Sequence, residues 1–95
     1  RYADAVTMYD KAAELYAGLF GKEDEKYCDM VINSCNALIK DEKYNEAARR
    51  LENADSFCGR EEEFKRLLTS AYKSMGEFGK LVKLKMAKNM GKSKK

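Results

Sequence analysis

Tyr44-Asn45-Glu46-Ala47-Ala48-Arg49-Arg50-Leu51-Glu52-Asn53-Ala54 is the stretch that decides the fold. Ala47, Ala48, Leu51 and Ala54 recur at intervals of three and four, which is one face of an α-helix. The opening pattern is aromatic, any residue, acid, alanine. It occurs earlier as Tyr2-Ala3-Asp4-Ala5. The offset that carries Tyr2 onto Tyr44 also puts Tyr9 on Leu51, Ala12 on Ala54 and Leu15 on Phe57. A second, shorter offset carries Lys43-Tyr44 onto Glu77-Phe78. It also carries Ala37 onto Ala71, Leu38 onto Tyr72 and Glu42 onto Gly76. Two offsets that share one pattern indicate an internal repeat.

Working outward, the rest of the chain divides into helices. The spacing predicts a helix over 1–20 with Ala5, Tyr9, Ala12, Leu15, Tyr16 and Leu19 inward. Gly21 is its natural stop, and Asp24 is placed to cap the next helix. A second helix follows over 25–41, with Tyr27, Val31, Ser34, Cys35, Leu38 and Ile39 inward. Asp41-Glu42-Lys43 breaks that stripe and reads as the loop before the third helix, 44–57, which Cys58-Gly59 ends. The fourth, 60–75, buries Phe64, Leu67, Leu68, Ala71, Tyr72 and Met75 and stops at Gly76. A fifth helix over 77–90 carries Phe78, Leu81, Val82, Leu84 and Met86, with Gly91 as its end. Residues 1–91 thus form one helical domain, and Lys92-Ser93-Lys94-Lys95 reads as a disordered basic tail.

Composition agrees with an all-α chain. Its 95 residues suit a single small domain, 44% hydrophobic and 37% charged. Proline is absent and only six glycines punctuate the chain, too few turn signals for a sandwich or barrel. Histidine is absent too, which removes Ser-His-Asp and Cys-His nucleophiles, His-ligated zinc and the commonest neutral-pH base. No catalytic residue and no cofactor site emerges, so the chain is expected not to be an enzyme.

Cys28, Cys35 and Cys58 are odd in number and widely spaced, unlike a secreted disulfide framework. They read as three buried thiols and imply a reducing compartment such as the cytoplasm. No metal site is expected, because His and a fourth Cys are lacking. No run of 18 apolar residues is present for a membrane span. The chain opens on Arg1 inside an amphipathic pattern, which reads as a piece of a longer protein continuing upstream.

The residues quoted above resemble the tetratricopeptide repeat (TPR), two antiparallel helices with a small residue at their crossing beside a bulky aromatic. Tyr44, Glu46, Ala47, Leu51 and Ala54 match its second-helix signature, and Tyr2, Asp4, Ala5, Tyr9 and Ala12 match it again. Alanine at the crossing lets helix axes approach to about 8–10 Å. The longer spacing, Tyr2 to Tyr44, is similar to the kinesin-light-chain type, as are Ala12-Ala13-Glu14-Leu15-Tyr16, Phe20-Gly21, Glu23-Asp24 and Asn33. The usual His-Pro turn of that type is missing. Ala47-Ala48-Arg49 and Arg60-Glu61 resemble soluble NSF attachment proteins, and Asn33 to Arg60 resembles the larger TPR subunit of the signal recognition particle. Cys35 and Thr69 stand where the repeat expects Gly, and Leu81 replaces the crossing Ala, as in a terminal capping helix. An unrelated helical bundle is the competing architecture.

The resemblance implies an adaptor for protein transport or another assembly, whose groove is lined by the first helix of each pair. On this register Asn33, Asn36 and Lys40 face the groove from one helix, and Arg66, Ser70 and Lys73 from the next. Asn pairs with a peptide backbone, and Lys and Arg hold carboxylates. The partner is then a helix, a peptide, or neighbouring repeats of the same solenoid, not a small-molecule substrate. The full Lys/Asn/Lys/Arg set of a chaperone-tail clamp is not present. Glu61-Glu62-Glu63 point in different directions and suit a helix start, where the dipole favours acids, rather than a cation site.

Charge is unevenly placed. Up to Phe78 there are 12 bases and 16 acids, a net of −4. Beyond it come Lys80, Lys83, Lys85, Lys88, Lys92, Lys94 and Lys95 and no acid. This basic helix and tail offers a second mode of action, contact with RNA or an anionic membrane. The absence of an aromatic residue after Phe78 argues against base stacking.

Overall fold

The computed structural model describes residues 1–93, and for residues 55–57 and 87–93 the backbone only. Five helices follow one another: α1 (Tyr2–Phe20), α2 (Glu25–Lys40), α3 (Tyr44–Cys58), α4 (Glu61–Met75) and α5 (Phe78–Ser93). The connections have four, three, two and two residues. Links that short fold each helix back on its predecessor, so neighbours run antiparallel. Each helix packs on the next, and α2 also touches α4. The result is a short all-α solenoid. No helix among the described residues is long and apolar enough to cross a membrane.

The caps explain the boundaries. At the start of α2 the Asp24 carboxylate accepts from the backbone N–H of Lys26 at 2.8 Å and of Tyr27 at 3.4 Å. The end of α4 is a Schellman turn. Gly76 has φ 77°, its N–H donates to the Lys73 carbonyl, and the Glu77 N–H donates to the Tyr72 carbonyl. The end of α2 has the same turn at the equivalent repeat position. Glu42 has φ 62°, its N–H donates to the Ile39 carbonyl, and the Lys43 N–H donates to the Leu38 carbonyl. The offset that placed Glu42 on Gly76 is therefore present in the backbone, with a glutamate held in the left-handed region at the first copy.

Two cores follow from this stacking. The larger joins α2, α3 and α4 through Ile32, Cys35, Ala48, Leu51, Ala54, Phe64, Leu67, Leu68, Ala71 and Tyr72, with Leu81 and Leu84 of α5 against it. The smaller joins α1, α2 and α3 through Val6, Ala37, Leu38 and Ala47. Ala47 is completely buried, as a small residue at a helix crossing should be. Ala37 and Ala71, related by the shorter offset, are buried too.

The end helices depart from the expected faces. In α1 the buried residues are Val6 and Ala13, while Leu15 and Leu19 are exposed. This helix is apolar on two sides, and α2 covers only one. In α5, Leu81 and Leu84 pack inward, whereas Phe78, Val82 and Met86 are exposed, because among the described residues α4 is its single neighbouring helix. The backbone of α5 also continues through Gly91, the expected stop, to Ser93. Lys94 and Lys95 lie outside the described residues, as do the side chains of Phe57, Lys88 and Lys92.

Candidate functional site

The six residues expected to line a groove occupy two rows. Asn33, Asn36 and Lys40 are spaced three and four along α2, and Arg66, Ser70 and Lys73 four and three along α4. Asn33 is half-buried, and the other five are exposed. Their helices lie against each other. No side-chain hydrogen bond or ion pair engages these six among the described residues. An open depression on α4, lined by Glu62, Glu63, Lys65, Arg66 and Thr69, adjoins the second row.

Arg60, at the entry to α4, fixes how α4 meets α2. Its guanidinium lies 2.5 Å from Asp29 Oδ1 and 3.4 Å from Glu63 Oε1, and donates to the Glu25 carbonyl at 3.1 Å. Asp29 and then Glu63 stabilise the cation and raise its already high pKa. Asp29 and Glu63 are thus both ion-paired within the chain. A second arginine, Arg50 of α3, joins Asp10 of α1 at 2.7 Å and Glu46 at 3.0 Å. These arginines were not legible as clamps, because Asp10 and Asp29 lie two helices back along the chain from Arg50 and Arg60.

The cysteines require a correction. Cys28 and Cys58 form a disulfide between the first turn of α2 and the last residue of α3. They are not free thiols, and the inference from unpaired cysteines to a reducing compartment falls with them. The two residues are 30 apart in the chain, and the α2–α3 hairpin brings them together. Only Cys35 is free. It is fully buried, and burial pushes its thiol up to about 11, so it is protonated and inert at neutral pH. Among the described residues, no group of His, Cys, Asp and Glu is placed to hold a metal ion.

At the α4–α5 junction Tyr72 is buried and its hydroxyl donates to Glu52 of α3. Lys80 lies 5.9 Å from the centre of its ring. One lysine of the basic helix is thus engaged in holding α5 to the stack. Lys83 and Lys85 are exposed.

No protein-family model, curated protein or solved structure matches the chain.

Proposed function

We propose that the chain is a non-catalytic, TPR-like interaction scaffold that binds a partner peptide or helix across α2 and α4. The observation that carries this reading is the asymmetry of pairing on that surface. Asp29 and Glu63 are taken up by Arg60, while among the described residues no ion pair engages Lys40, Arg66 or Lys73, on the same helices as the hydrogen-bonding groups of Asn33, Asn36 and Ser70. Such a surface favours a segment carrying carboxylates. The cations contact the acids, and the amide and hydroxyl groups contact the backbone. The twin Schellman turns at Glu42 and Gly76 and the buried Ala47 support the repeat reading on which the groove rests.

The test is fluorescence anisotropy with a labelled Glu/Ser peptide and its Lys/Ser counterpart. The acidic peptide is expected to bind and the basic one not. Replacing Arg66 and Lys73 together by Glu should weaken binding about tenfold or more. Equal binding of both peptides, or indifference to the charge reversal, contradicts the proposal.

A further inference from the structure

Single exposed apolar residues are ordinary on a protein surface, but aligned ones are not. The two end helices both carry aligned ones. On α1, Met8, Leu15 and Leu19 are 67–71% exposed and spaced seven and four apart, so they form one stripe across the helix from the buried Val6 and Ala13. On α5, Phe78, Val82 and Met86 are 54–61% exposed and spaced four apart, a second stripe turned away from Leu81 and Leu84. These helices sit at opposite ends of the stack and do not touch each other.

Their charges are of opposite sign. Between Phe78 and Met86, α5 holds Lys80, Lys83 and Lys85 and no acid. With Asp10 taken up by Arg50, α1 offers Asp4 and Glu14 against Lys11. Pairing α5 with α5 would set lysines against lysines. Pairing α5 with α1 brings opposite charges together around two apolar stripes. We propose that copies of this chain associate head to tail, the α1 stripe of one seated on the α5 stripe of the next. The contact is heterologous. Each copy therefore keeps one free end, and assembly continues beyond a dimer unless it closes into a ring.

Sedimentation equilibrium of the 95-residue chain over a wide concentration range tests this. Mass is expected to rise with concentration past that of a dimer. One variant blocks the head (Leu15→Glu with Leu19→Glu) and another blocks the tail (Val82→Glu with Met86→Glu). All four side chains are exposed, so both variants should keep the helical circular dichroism of the parent chain. Each variant alone should be monomeric, and their equimolar mixture should form a one-to-one dimer and nothing larger. A parent chain that is monomeric throughout overturns the proposal. So does a blocked variant that still dimerises, because its contact is then isologous. If the parent chain never associates but binds phosphatidylserine vesicles or RNA, and the tail-blocked variant does not, the α5 stripe serves a polyanion and the proposal fails.

Discussion

Replacing Ala47 by Leu would test the helix crossing on which the repeat depends. Ala47 has no exposed surface and packs in one cluster with Val6 of α1 and with Ala37 and Leu38 of α2. Its carbonyl accepts a long contact from Cys35 Sγ, 3.9 Å away, so the backbones of α2 and α3 are close at this point. A leucine brings three more carbon atoms into that space. Either the side chain leaves its rotamer or the helices separate, and overpacking of this kind costs about 1–3 kcal/mol. With a urea dependence of about 1 kcal/mol per molar for so small a chain, the midpoint should fall by roughly 1–3 M. Ala3→Leu is the control, because Ala3 is an exposed residue of the same repeat pattern on α1. It should change stability by no more than about 0.5 kcal/mol. Equal midpoints for Ala47→Leu and the parent would refute the crossing and, with it, the register that places Asn33 and Arg66 on one surface.

Three further outcomes are expected. Glu42→Gly relieves a left-handed residue and should stabilise the chain by roughly 0.5–1 kcal/mol, whereas Gly76→Ala, at φ 77°, should destabilise it by about 1–2 kcal/mol, both read from urea midpoints. The Cys28–Cys58 bridge joins positions 30 apart in sequence, so reduction should cost about 3–4 kcal/mol on the chain-entropy account, seen as a lower melting temperature with reductant. Denatured, unreduced protein should then titrate as one thiol, and three would refute the bridge. Finally, stability should fall with alkali. The folded pKa of Cys35 is raised from 9.0 to about 11 by burial, and that of Tyr72 from 10.0 by burial and Glu52. The Cys35 contribution is complete below 9 and is lost as pH climbs through 9 to 11. That of Tyr72 is complete below 10 and is lost at higher pH. Cys35→Ala should flatten the lower part of that decline, and an unchanged profile would remove Cys35 from it.

Much of the architecture was legible because it rests on local rules. Asp24, Gly21, Gly59 and Gly76 mark helix ends by chemistry that acts within a turn, and all four sit at those ends. The inward face of α4 was equally plain, since Phe64, Leu67, Leu68, Ala71 and Tyr72 form one narrow stripe with polar residues around it. Where a helix is apolar on two sides, periodicity does not say which side is covered. Spacing alone turns Leu15 and Leu19 inward, yet both face solvent. The features that join distant segments left no local trace. The bridge between Cys28 and Cys58 exists because the α2–α3 hairpin brings the two helices together, and Arg60 reaches Asp29 because α4 also lies against α2. The two rows of the candidate surface lie between these cases. Each row follows from helical spacing, but their adjacency depends on α2 touching α4.

The central claim is that a carboxylate-bearing segment lies across α2 and α4. Amide chemical-shift mapping of the labelled 95-residue chain, titrated with the Glu/Ser peptide, tests it most directly. The account predicts saturating shifts confined to the neighbourhood of Asn33, Asn36, Lys40, Arg66, Ser70 and Lys73. Shifts clustered instead on Lys83 and Lys85 of α5, or no saturable shifts at all, would contradict it.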